Sequence, residues 1–165
     1  MDDTISTAAE AAEAAAIPRR HEVHADPAQA PDPGAPLPGA LREPIDRKSP
    51  ARWAYERLIL YIRNFEAQLD NSQEVAMGFT GGDAGVLRIE GMGYFDPDIV
   101  TFYGTDAQGM KTQAIQHVSQ LNVILRALPR RDDAAARPPR RIGFRLAADL
   151  DSDAAAADPP AAPAG

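Results

Sequence analysis

The stretch Val86-Leu87-Arg88-Ile89-Glu90-Gly91-Met92-Gly93-Tyr94-Phe95 decides the fold. Apolar and polar side chains alternate from Leu87 onward, the period of a strand with one buried face, and Leu87 and Ile89 share that face. Gly91 and Gly93 follow on the same face two and four residues later, where missing side chains let a strand bend or a second backbone come close. Upstream, Val75, Met77 and Phe79 alternate likewise, and Gly81-Gly82-Asp83-Ala84-Gly85 supplies residues that tolerate positive φ in a tight connection. Downstream, Asp96-Pro97-Asp98 turns the chain and Ile99 to Tyr103 is β-branched and aromatic. Gly104 to Gly109 turns it again, and Met110 to Gln116 forms a fourth strand. Four consecutive strands with short links make a meander. The glycine pair predicts a strongly curved sheet, with closure into a small barrel as its limit.

Ser49-Pro50 marks a helix start, because the Ser hydroxyl accepts an orphan backbone N–H and a proline at the first helical position loses no bond. Ala54, Leu58, Ile62, Phe65 and Leu69 then recur every three or four residues, which predicts an amphipathic helix from Ala51 to Leu69. Arg52, Glu56, Arg63 and Glu66 fall outward on this reading, and Trp53, Tyr55 and Tyr61 widen the stripe at the core rim. Residues 117–128 fit both periods: Val118, Leu121, Leu125 and Leu128 suit a helix, while Val123, Leu125 and Ala127 alternate. The reading adopted is a short turn at His117 to Leu121 and then a strand. Arg130 to Arg140 reads as an exposed polar loop, and Arg141 to Leu146 as a last strand with Ile142, Phe144 and Leu146 inward. The expected class is α+β, an N-terminal amphipathic helix followed by a bent antiparallel meander.

Of 15 prolines only Pro97 lies between Ala51 and Leu128, so folded and unfolded parts separate along the chain. We expect a disordered Ala/Pro-rich tail at 1–48, one domain at 49–147 and a second disordered tail at 148–165. The net charge of −7 divides as −4, +1 and −4 over these three parts, so the acidity belongs to the tails. Acids at Asp2 and Asp3 and the interruptions Glu10 and Glu13 exclude a secretory signal, and Leu58 to Ile62 is too short to span a bilayer. A cytoplasmic protein without membrane contact is the expectation.

The absence of cysteine removes disulfide frameworks, thiol nucleophiles and thiolate metal sites. His21-Glu22-Val23-His24 is one residue short of zincin spacing, and no metal site or cofactor is expected. The central segment offers one histidine, His117, two residues from Ser119, with no nucleophile elbow or phosphate loop around them. No catalytic residue is assigned. Asp96 and Asp98 read as turn acids. Alternation sets Lys111 and Gln113 on one strand face with Ile115, a polar edge that suits a partner strand or bases, with Gln116 and His117 at its end. Arg130, Arg131, Arg140 and Arg141, together with Arg137, form a basic cluster around Asp132 and Asp133 that suits phosphates.

The segments Trp53-Ala54-Tyr55-Glu56-Arg57, Gln116-His117-Val118-Ser119-Gln120-Leu121 and Pro139-Arg140-Arg141-Ile142-Gly143-Phe144-Arg145-Leu146 resemble an uncharacterised alphaproteobacterial family of unknown function, which implies no activity. At the level of architecture, a helix before a bent meander is similar to the Sm-like fold, including the bacterial host-factor RNA chaperone. There the second strand carries a glycine before a Phe-Asp turn, as Gly91 and Phe95-Asp96 do here, at an interval one residue shorter. The RNA-contacting Tyr-Lys-His element of that fold corresponds to Ile115-Gln116-His117, where only the histidine agrees. The functional expectation is a non-enzymatic interaction module that binds a protein partner or itself. RNA binding is the alternative that the Sm-like resemblance implies, and a small-ligand binder or hydrolase centred on His117 is a second.

Overall fold

The structure is a computed structural model that describes residues 24–26, 28, 39, 47–79, 85–131 and 137–157. Most of the expected N-terminal tail, residues 81–84 of the hairpin connection, Asp132, Asp133 and residues 158–165 lie outside the described residues. Helix α1 (Pro50–Glu66) precedes strands β1 (Gln73–Phe79), β2 (Val86–Phe95), β3 (Ile99–Thr105) and β4 (Lys111–His117). A 3₁₀ turn (Val118–Gln120) leads into β5 (Val123–Pro129), and helix α2 (Ile142–Ala157) ends the described chain. The predicted α+β class, the helix before the strands and the turn-then-strand reading of 117–128 all stand.

The sheet is antiparallel throughout, in the order β4-β3-β2-β1-β5. It stays open, with β4 and β5 as its two edges, so the barrel does not close. The bend sits in β2. Val86 to Arg88 pair with β1, Arg88 to Phe95 pair with β3, and a bulge shifts the register between Ile89 and Gly91. A bulge sharpens the local twist and inserts one unpaired residue, so the alternation changes phase across Glu90. Gly91 and Gly93 therefore lie on the face opposite Leu87 and Ile89, in register with Tyr103 and Thr101. This corrects the expectation that they continue the inner face. The tightest backbone approach falls instead at Gly104, where a Cβ would stand 2.0 Å from the Arg88 carbonyl oxygen. The curl carries Arg131, just beyond β5, to within 3.3 Å of the Asp106 carbonyl beyond β3. In a flat sheet those strands would lie about 14 Å apart.

The core gathers Ile59 and Ile62 of α1, Val75, Met77, Leu87, Ile89, Met92, Val100 and Phe102 of the sheet, and Leu146, Ala147 and Leu150 of α2. Phe79 meets Phe102 edge-on across the concave face. Ser49 caps α1 as expected, its hydroxyl accepting from the Arg52 amide at 3.1 Å.

Two expectations fail at the C-terminus. Residues 141–146 are not a strand, and ordered structure does not stop at 147, because α2 carries on to Ala157. Ile142, Leu146 and Leu150 recur every four residues and the continuation is alanine-rich, so a helix keeps all three on one face. Phe144, inward on a strand, is 48% exposed on this helix. Because α2 packs along α1, the first helix is covered on two sides. That is why Glu66, expected outward, is 1% exposed; Glu56, also expected outward, is 0% exposed beside Lys48. The helix also ends at Glu66 rather than Leu69.

Each buried acid has a structural partner. Glu56 accepts from Lys48 Nζ at 2.6 Å and from Arg52 Nε at 3.1 Å, which fixes the chain leading into α1 and buries Lys48 within the expected tail. Glu66 Oε2 accepts from the Gly143 amide at 2.9 Å, so a side chain of α1 caps the first turn of α2. Burial pushes the Glu66 carboxyl up to about 7, against the lowering pull of the Gly143, Phe144 and Ile142 amides and of Arg141. The folded chain thus holds this proton more tightly than the unfolded chain. Its contribution to stability is full below the ordinary value of 4.5 and is lost as pH rises through about 7. Thermal melts between about pH 5 and pH 8 should show the wild type losing stability relative to Glu66→Gln as pH rises. A parallel pair of curves would show that the carboxyl is ionised throughout.

Candidate functional site

The first group of predicted residues lies on β4, a strand with a neighbour on one side only. Lys111, Gln113, Ile115 and His117 alternate onto its exposed face, as the sequence reading expects, beside Thr105, Tyr103, Thr101 and Ile99 of β3. Ile115 is 65% exposed and Tyr103 44%. Gln116 belongs to the other face, paired with Val100, and its Oε1 is buried without a hydrogen-bond partner. It is therefore not part of the polar edge.

His117 sits where β4 turns into the 3₁₀ segment. Its Nδ1 accepts from the Ser119 amide at 3.1 Å and lies 2.7 Å from the Ser119 hydroxyl, while Nε2 lies 3.0 Å from Asp98 Oδ2. An Nδ1 that accepts an amide leaves the proton on Nε2, which donates to Asp98. Carboxylate, imidazole and hydroxyl come in the order of an acyl-transfer triad. The imidazole lone pair is already shared with a backbone N–H of its own turn, however, so the ring acts as a cap. The Asp96-Pro97-Asp98 turn is a hub. Ser49 donates its hydroxyl to Asp96, Ala51 donates its amide to the Pro97 carbonyl at 2.9 Å, and Val118 donates its amide to the Asp98 carbonyl at 2.8 Å. These bonds tie the β2–β3 turn to the start of α1 and to the corner after β4.

The second group gathers around Glu74 on the face of the sheet turned away from the core. Glu74 alternates with Val75 and Arg88 with Leu87 and Ile89, so both point outward. Glu74 Oε1 accepts from the Arg140 amide at 3.0 Å, with Arg130 Nε at 3.8 Å and Arg88 Nη1 at 3.9 Å from the carboxylate. Arg88 also donates to the Pro129 carbonyl at 3.0 Å, and Arg130 to the carbonyls of Asn71, at 3.2 Å, and Arg137. Arg140 reaches Glu90 at 3.4 Å and is 64% exposed in its side chain. Glu74, Arg88, Arg130, Arg131, Arg137 and Arg140 line a pocket of about 360 Å³. Arg141 takes no part in it: its guanidinium donates to the Gln73 and Asp70 carbonyls, each at 2.8 Å, and anchors the approach to α2.

The structure thus unites Arg130, Arg131 and Arg140, separates Arg141 from them, and sets Lys111, Gln113 and His117 on β4. Sequence reasoning missed Glu74 and Arg88. Their outward alternation was readable, but Arg140 meets Glu74 across 66 residues, a pairing no local pattern encodes. No protein-family model, curated protein or solved structure matches the chain. Among the described residues no helix is long and apolar enough to cross a membrane.

Proposed function

We propose that this protein is a non-enzymatic, cytoplasmic interaction module that associates with copies of itself by pairing β4 of one copy with β5 of the next. The supporting observation is that the two unpaired edges are complementary. Each is seven residues long, and each presents an exposed isoleucine, Ile115 at 65% and Ile124 at 40%. A strand added to a sheet must keep its inner and outer faces in phase with its neighbour. Because β4 and β5 run in the same direction in this sheet, the pairing that does so is parallel, and a register with Ile115 beside Ile124 sets Ala114 beside Val123 and Gln113 beside Asn122. The exposed isoleucines then cover each other, and no like charges face directly. Because the contact joins two different edges, every added copy leaves one of each free, so assembly closes into a ring or continues as a filament.

An RNA-binding, Sm-like reading draws instead on the arginines around Glu74, a cationic surface of the kind that phosphate backbones meet. It leaves the paired isoleucines unaccounted for, so self-association is preferred.

Light scattering across concentrations should report an oligomer that Ile115→Lys and Ile124→Lys each weaken. Losing one buried isoleucine contact costs roughly 2 kcal/mol per interface, or about 30-fold in Kd. The chain has no cysteine, so Gln113→Cys with Asn122→Cys gives a clean register test, with intermolecular disulfides expected under oxidation. A wild-type protein that stays monomeric at every concentration, or an oligomer indifferent to both lysines, would sink the proposal.

A further inference from the structure

We infer that the arginine pocket around Glu74 is a binding site for the phosphoryl group of a small phosphorylated molecule. This inference stands apart from the edge-pairing proposal and uses different residues. Among the described residues, five guanidinium groups line the pocket beside two carboxylates, Glu74 in the wall and Glu90 on Arg140. Such crowding is unfavourable in the absence of an anion, and a phosphoryl dianion placed among the groups relieves it.

The inner wall is built before any ligand arrives. The Arg88 side chain is 17% exposed and that of Arg130 14%, and both are held by backbone carbonyls. Arg88 Nη1 is buried and makes no hydrogen bond, its contact with Glu74 being an ion pair at 3.9 Å. Arg140 at the mouth, its side chain 64% exposed, is the guanidinium that a phosphoryl oxygen reaches directly. The guanidinium fork matches two oxygens of one phosphoryl group, which favours phosphate over a single halide. At about 360 Å³ the pocket has room for a phosphoryl group and a small body attached to it. Glu74 orders the arginines and also competes with the ligand for them.

Calorimetric titration of the full chain with inorganic phosphate and with pyrophosphate, at ionic strength held constant by sodium chloride, tests the site. Saturable binding is expected, weakened on the order of 10-fold by Arg140→Gln at the exposed mouth and by Arg88→Gln at the wall. Glu74→Gln is expected to tighten it, a result that a purely structural role for this cluster would not give. Should Arg88→Gln fail to fold, Arg140→Gln and Glu74→Gln still decide the matter. A glycerol monophosphate arm separates a phosphate ester from the free ion: tighter binding of the ester identifies a metabolite site, and equal binding identifies a phosphate site. Heat no larger than that of chloride, or binding untouched by Arg140→Gln, overturns the inference. So does a single-stranded RNA that needs Arg140 when pyrophosphate does not bind, since that assigns the arginines to a nucleic-acid backbone.

Discussion

Gly143→Ala should unfold the protein well below the wild-type melting temperature, although the same change on an exposed helix would stabilise it. Glycine is about 1 kcal/mol worse than alanine inside a helix, so propensity alone predicts a gain. Packing reverses the sign. A Cβ at Gly143 would lie 2.6 Å from the Arg63 amide nitrogen, 2.7 Å from Arg63 Cα and 2.9 Å from Glu66 Oε2. Two of these atoms are backbone in the last turn of α1 and cannot swing aside, so α2 must shift. The shift breaks the cap that Glu66 gives to the Gly143 amide and loosens Leu146, Ala147 and Leu150 from the core. Overpacking of this kind costs on the order of 3 kcal/mol, which in a domain of this size lowers Tm by roughly 15 °C. A urea or thermal melt measures it. An unchanged or raised Tm would show that the two helices do not approach this closely.

The second large effect is expected at Gly104→Ala, which strikes the bend of the sheet. Its Cβ would stand 2.0 Å from the Arg88 carbonyl oxygen and 2.8 Å from the Arg88 carbonyl carbon, with Leu87 Cγ at 3.0 Å. Neither strand can give way without breaking pairs on one side of the bulge, because Arg88 is in register with both Ala76 and Thr105. A loss of about 3 kcal/mol or more follows, with amide exchange speeding up first in β2 and β3. Gly91→Ala is the control. Its Cβ would touch only the Tyr103 side chain, at 3.8 Å, so the substitution should cost less than about 1 kcal/mol. Equal effects at the two positions would mean that glycine matters here for flexibility and not for close approach.

Both positions bear on function through placement. The pairing of β1 with β2 sets Arg88 and Glu74 on the same outer surface. The α1–α2 contact brings the 137–141 segment across to meet them, with the Arg140 amide on Glu74 and the Arg141 guanidinium on the Gln73 carbonyl. A Gly143 variant that folds with α2 displaced should therefore also disturb the pocket, whereas the β4 edge, held by the Asp98 and His117 corner, should be spared.

What could be read directly was local. The span Val86 to Phe95 was legible as a strand because alternation and flanking turn residues are written within ten positions. The Ser49 cap, the 3₁₀ turn before β5 and the exposed face of Lys111, Gln113 and Ile115 were legible for the same reason. Short-range signals fail where two periods fit one segment, as in residues 142–146. There, Ile142 and Leu146 suit both alternation and a four-residue repeat, and the two readings part at Phe144, inward on a strand and exposed on a helix.

By itself, then, the sequence determined a helix, a four-strand meander and a returning fifth strand, because caps, turns and side-chain alternation act between residues a few positions apart. Tertiary structure alone decided that α2 covers the second side of α1, that Glu56 and Glu66 are buried, and that a bulge reverses the faces of Gly91 and Gly93. It also decided that arginines from three separate segments meet at Glu74. Each of these rests on contacts between distant parts of the chain, where burial and close backbone approach overrule the preference of any single stretch.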